Sequence, residues 1–141
     1  MLNRVSPLDS ILSIEHNYLP LSKNVLIVDS NTFVAKKIES ILKLKHHISH
    51  GIVSCVHKVE AAIKKEEPNV IIINIETQGE LNGYQIGKLL KLDYEEISLI
   101  ILYREENSEL KKWAEELNPD GFIPFSDNQS KLEVDIENVL F

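Results

Sequence analysis

Pro68-Asn69-Val70-Ile71-Ile72-Ile73-Asn74 is the stretch that decides how this chain folds. Four apolar residues in a row, opened by a proline and closed by a polar amide, suit a short strand covered on both faces; a strand with one wet face would alternate apolar and polar. Similar runs recur outward from it, at Val25 to Val28, Ile52 to Val56 and Leu99 to Leu102, with a weaker fifth at Phe122-Ile123. The segments between them change period. Val34, Ile38, Ile41 and Leu42 make one helical stripe, Val59, Ala62 and Ile63 a second, and Ile86, Leu89 and Leu90 a third. Leu110, Trp113, Ala114 and Leu117 make a fourth, and Leu132, Ile136, Val139 and Leu140 a fifth.

Five repeats of strand then helix predict an α/β fold, a single doubly wound five-stranded parallel sheet with right-handed crossovers and helices on both faces. Pro124, directly after the fifth apolar pair, cannot donate to an interior ladder, so that strand is expected at a sheet edge. The order 2-1-3-4-5 satisfies this. It opens a crevice at the C-terminal ends of strands one and three, where Asp29 and Asn74 fall. This domain takes residues 23–141. Residues 1–22 precede it as an extension with a helix start at Ser6-Pro7, an apolar side of Leu8, Ile11 and Leu12, and a stop at Pro20. Packing onto its own domain, a homodimer contact and a partner contact are all open to it.

A chain of 141 residues, 43% apolar and 26% charged, fits one globular domain with a core of its own. The net charge of −7 argues against electrostatic binding of nucleic acid, which needs clustered Lys and Arg. The charge is also uneven. Residues 1–67 hold nine Lys/Arg against seven Asp/Glu, and residues 68–141 hold six against fifteen, so the second part carries −9. A basic or apolar protein partner suits such a surface. Cys55 is alone, which rules out an internal disulfide, and is expected as a small buried strand residue. No stretch approaches the ~18 apolar residues of a membrane span, so a cytoplasmic protein with no membrane contact is expected.

Asn24-Val25-Leu26-Ile27-Val28-Asp29 resembles the first strand of response-regulator receivers, which ends in an acidic pair; here the pair is Asp29-Ser30. The run from Pro68 to Asn74 is similar in spacing to that family's proline-led third strand, and Asn74 takes the place of the phospho-accepting aspartate. Gly83 matches the loop glycine before the third helix, in a loop one residue longer and without the usual proline, and Lys58 to Pro68 resembles the second helix. The resemblance covers about residues 23 to 141 and implies a flavodoxin-like receiver fold.

It also implies what has been lost. In the family, the acidic pair and the acceptor hold magnesium, and only Asp29 is left of that set. Replacing two carboxylates by Ser30 and Asn74 should leave magnesium binding weak or absent, and no other cofactor is expected. Tyr103 stands where a hydroxyl residue would bond the phosphoryl group, and Pro124 or Phe125 stands where a lysine is expected. Phe122 matches the aromatic residue that swings with activation, so Tyr103 and Phe122 are the switch-like positions. Arg104 follows Tyr103 and is a candidate partner for Asp29 within the depleted pocket, or a solvent-facing loop residue.

The remaining constellations are weaker. His46, His47, His50 and His57 lie close to Cys55, yet their spacing fits no zinc pattern and a solvated loop is expected. Gly79, Gly83 and Gly87 lack the sequence context of a phosphate loop and suit a turn and a close helix contact. Ser30 has no nucleophile-elbow context. The acidic residues Glu105, Glu106, Glu109, Glu115, Glu116, Asp120, Asp127, Glu133, Asp135 and Glu137 gather on or beside the fourth and fifth helices, a surface suited to steering a basic partner. The expected role is therefore an atypical, phosphorylation-independent receiver without enzymatic turnover. Two alternatives stay open: a phosphoreceiver using Asp29, Glu76 or a hydroxyl as acceptor, and a small-ligand sensor at the sheet crevice.

Overall fold

The computed structural model describes residues 22–104 and 108–140. The extension before Ser22 and the acidic pair Glu105-Glu106 lie outside the described residues. Five strands and five helices alternate: β1 (Asn24–Val28), α1 (Thr32–Leu44), β2 (Ile48–Val53), α2 (Val56–Glu66), β3 (Val70–Asn74), α3 (Gly83–Asp93), β4 (Ser98–Tyr103), α4 (Ser108–Glu116), β5 (Gly121–Pro124) and α5 (Gln129–Leu140). The strands form one parallel sheet in the order β2-β1-β3-β4-β5. The predicted architecture and strand order hold.

The continuous apolar runs are explained by what covers each face. Val25, Ile27, Val70, Ile72, Ile100 and Leu102 pack beneath α1 and α5, against Ile38, Ile41, Leu132 and Ile136. Their neighbours Leu26, Val28, Ile71, Ile73, Leu99 and Ile101 point the other way, against Val59, Ile63, Ile86 and Leu90 of α2 and α3 and Ala114 of α4. Every residue of β3 is buried, since its strand neighbours lie on both sides and helices on both faces. A fully buried Ile or Leu of this kind contributes about 1.5–3 kcal/mol relative to exposure.

Two sequence expectations need correction at β2. The second strand runs from Ile48 to Val53 rather than from Ile52 to Val56, and helix α2 already begins at Val56. β2 is an edge strand with no fully buried residue, so it lacks the apolar signature that marked the others. Its register also shifts opposite Val25 to Ile27, beside Gly51 at φ +101°. Cys55 consequently sits half-buried at the N-cap of α2 rather than inside a strand. β5 lies at the opposite edge, where Pro124 pairs with Tyr103 of β4.

Local chemistry fixes the helix ends near the crevice. The side chain of Asn31 accepts from the Val34 amide at 3.2 Å and starts α1. Asn82 and Gln85 form a reciprocal capping box at the start of α3. The next residue, Gly83, presses that helix onto the end of β3: a Cβ there would stand 2.5 Å from the Asn74 carbonyl oxygen and 2.7 Å from that of Ile75. α2 ends on Glu67 in the left-handed region, φ +48°, just before Pro68 turns the chain into β3.

Candidate functional site

The parallel register of β1 and β3, which pairs Val28 with Ile73, sets the next residues, Asp29 and Asn74, side by side at the C-terminal edge of the sheet. Both are buried, at 2% and 6% exposure. The Asn74 carboxamide Nδ2 donates to Oδ1 and to Oδ2 of Asp29, each at 3.2 Å. Its Oδ1 accepts from the Glu76 amide at 2.9 Å. Asp29 Oδ1 also accepts from the Asn31 amide at 2.8 Å. Burial pushes the Asp29 carboxyl above its ordinary 3.8, and the nearby Glu76 adds to this. The Asn31 and Asn74 hydrogen bonds and the Arg104 charge pull the other way without cancelling it.

Ser30 lies on the exposed rim, where its Oγ accepts from the Gln78 amide at 3.0 Å and ties the β1–α1 loop to the β3–α3 loop. Thr77 is buried at 1% exposure, with its hydroxyl 3.4 Å from the Val28 carbonyl and its own carbonyl accepting from Gly83 N at 2.9 Å. Thr77 and Gln78 had no signal in the sequence, because a loop after a strand shows no period. Tyr103 closes β4 half-buried, and its ring meets Phe122 edge-on, with centroids 6.0 Å apart and planes at 87°. The two switch-like positions are thus in contact.

Arg104 reaches the rim of the same cleft, partly exposed, and of the two readings open to it the pairing is with Glu76 and not with Asp29. Its Nε lies 3.2 Å from Glu76 Oε2, with the guanidinium on the outer rim and Asp29 sealed below Asn74. The contact is an ion pair without hydrogen-bond alignment, since Glu76 Oε2 is buried and accepts no well-directed donor. The open space above these groups measures about 450 Å³ and is lined by Ser30, Asn31, Thr32, Asn74, Glu76, Gln78 and Arg104. Its wall is polar, and its rim carries one negative and one positive side chain.

The histidines are not brought together. His46 is exposed in the left-handed region after α1, His50 lies on β2 with Nδ1 3.4 Å from Glu66 Oε2, and His57 is exposed on α2. His47 is buried at 4% exposure: its Nδ1 accepts from the Lys23 amide at 2.9 Å, and Nε2 lies 2.9 Å from Glu137 Oε1. It is a structural link between the start of β1 and α5. Among the described residues, no group of three or more His, Cys, Asp or Glu could hold a metal ion. None of the helices there is long and apolar enough to cross a membrane.

The acidic residues of the second half are partly matched within the fold. Asp127 lies 3.8 Å from Lys37, Glu133 3.6 Å from Lys45 and Asp135 3.2 Å from Lys131. Asp120 Oδ2 accepts from the Leu99 amide at 2.7 Å, and Glu116 accepts from the Tyr84 hydroxyl at 3.0 Å. The Tyr84 ring stands 5.6 Å from that of Trp113, joining α3 to α4. Glu109 and Glu115 are exposed on α4.

The family model for the response regulator receiver domain matches residues 25–136. No curated protein matches the sequence. Among solved structures, the receiver domain of a modulated diguanylate cyclase from Desulfovibrio desulfuricans G20 is similar at a TM-score of 0.70 and 18% identity, over 84% of this chain and 94% of that one. The chemotaxis response regulator CheY4 of Vibrio cholerae is similar at 0.70 and 18%, over 84% and 98%. NtrX from Brucella abortus reaches 0.75 and 21% over 84% of this chain, which spans only 27% of that longer protein. The match covers most of the chain and all five strands, and the chain belongs to the response regulator receiver domain family of two-component signalling.

Proposed function

We propose that this receiver domain signals without being phosphorylated, acting as a protein-binding module whose pocket serves structure rather than chemistry. The observation that carries the reading is the Asn74 amide at the acceptor position, donating to both oxygens of Asp29 at 3.2 Å. A carboxamide nitrogen is no nucleophile toward phosphorus, and the Asn74 oxygen is already held by the Glu76 amide.

The donor set does not suit magnesium either. A hard divalent ion needs several unobstructed oxygens, and here the one remaining carboxylate of the set has amide protons turned toward both of its oxygens. Protons so placed repel a cation. Ser30 Oγ is taken by the Gln78 amide, and the rim charge of Glu76 is answered by Arg104. The amide of Asn74 thus does internally what an ion would otherwise do, holding two adjacent strand ends against each other.

The partner is another protein, drawn by the negative field of the second half of the chain, where α4 and α5 lie. No turnover is expected of such a module. The decisive experiment treats the full chain with a small-molecule phosphodonor and magnesium and reads the intact mass. An unchanged mass is expected; a stoichiometric phosphoryl adduct on Asp29, Glu76 or a hydroxyl would restore the phosphoreceiver reading.

A further inference from the structure

At the N-terminal edge of the sheet, the opposite end of β3 from Asn74, a cleft of about 500 Å³ lies between the end of α2 and the α3–β4 loop. The buried Ile63, Pro68 and Ile97 and the half-buried Tyr94 give it an apolar wall. Two tight turns shape it. Glu67 ends α2 in the left-handed region and Pro68 follows at once, so the chain leaves the helix sharply and enters β3. On the other side Tyr94 ends α3, its amide donating to the Leu90 carbonyl at 2.9 Å, and its own carbonyl accepts from the Ile97 amide at 3.0 Å as the chain turns into β4.

Asn69 also lines the cleft, but its polar atoms are committed within the sheet. Its Oδ1 accepts from the Asn24 amide at 2.9 Å, and its carbonyl accepts from the Ser98 amide at 3.0 Å. Recognition then falls to the charged side chains and the apolar wall. Glu67 and Glu96 are exposed on that wall, against Lys64 as the one cation lining it among the described residues. Lys65, the next residue, lies 4.0 Å from Glu66. α2 and α3 both end here, so the carbonyl ends of two helix dipoles add to the negative potential, which Lys64 and Lys91 in their last turns offset in part.

We infer that this cleft binds an organic cation that carries its charge on an apolar or aromatic body. Its volume falls within the range of small-molecule sites, about 300–1,000 Å³. Ile63, Pro68, Tyr94 and Ile97 take the body, and Glu67 and Glu96 take the ammonium or guanidinium group. An anion would meet two carboxylates and two carbonyl helix ends, and a neutral polar molecule would find Asn69 already bonded. The inference does not depend on the phosphorylation-independent reading above, since none of these residues lines the crevice at Asn74.

The test titrates the isotope-enriched full chain with 2-phenylethylamine, 2-phenylethanol and phenylacetate, one body with a positive, a neutral and a negative end. The amine should shift the amide signals of Lys64, Asn69, Tyr94 and Ile97 in a saturable way and leave those of Thr32 and Gln78, at the other end of the sheet, in place. The alcohol should bind roughly fivefold more weakly and the acid more weakly still. Glu67→Asn with Glu96→Gln removes both carboxylates, and asparagine tolerates the left-handed backbone at position 67. The amine should then lose its advantage over the alcohol at an unchanged melting temperature. Should the double variant fail to fold, Glu96→Gln alone, at an exposed position, should reduce that advantage. Shifts that never saturate, or that spread over the surface or gather at the Asn74 crevice, overturn the inference. So do equal affinities for the three compounds, or a preference for the amine that survives the loss of Glu96.

Discussion

At the scale of single residues, the Asn74 carboxamide matters because its nitrogen carries protons and no charge. Asn74→Asp would set a second carboxylate against Asp29 in a buried position. Stability in chelator should fall by about 1–3 kcal/mol, the usual cost of a buried polar group stripped of its partner. Magnesium should recover part of the loss, as read by urea denaturation in both buffers. Asp29 makes a second prediction. Its folded carboxyl is raised above 3.8 chiefly by burial, so folded protein holds this proton where unfolded protein has released it. Stability is therefore greatest below pH 3.8 for this group and declines as pH rises through the folded value. Asp29→Asn should remove that decline, so the variant gains on the parent as pH rises, as measured by melting temperature across acid to neutral pH. Asp29, Ser30, Asn74, Tyr103 and Phe122 could be placed along the sequence because each lies within a strand or within two residues of its end, where spacing is rigid. The partner of Arg104 and the roles of Thr77 and His47 were not. Each depends on which loop lies across the sheet edge, and no local pattern encodes that.

At the scale of elements, the strands with two covered faces announced themselves, and of the two edge strands β5 was only weakly marked and β2 was misplaced. β1, β3 and β4 read as unbroken apolar runs because water reaches neither side, while Ile48 to Val53 of β2 mixes Ser49, His50 and Gly51 with its apolar residues. The junction between β3 and α3 is the element contact that shapes the site most directly. Gly83→Ala would force its Cβ into backbone oxygens at 2.5 and 2.7 Å, which cannot rotate away as a side chain does. The expected cost is about 1–3 kcal/mol in urea denaturation. Gly87→Ala meets only the flexible end of Leu117 at 2.7 Å and should be milder. The edge position of β5 was legible through one residue, Pro124, whose missing amide proton excludes it from an interior ladder, whereas periodicity alone did not fix the order of the other strands.

At the scale of the whole molecule, charge is the property that the sequence displays most openly and the fold redistributes. The −9 of residues 68–141 is partly matched by Lys37 and Lys45 from the first part of the chain, but these are exposed or half-exposed pairs, worth little individually. The long-range field stays negative. A basic partner captured by it should bind more slowly and more weakly as salt rises from about 50 to 500 mM, with association falling more than dissociation changes. A complex indifferent to salt would place recognition in apolar contacts instead.

Trp113 supplies a means of watching such an encounter. It is the sole tryptophan of the chain, half-buried on α4 and tilted against Tyr84. An indole so placed is an intrinsic optical reporter for one side of the molecule. A protein settling on α4 shifts its emission, and one settling across α1 leaves the spectrum as it was, so a cuvette and no label distinguish the two faces.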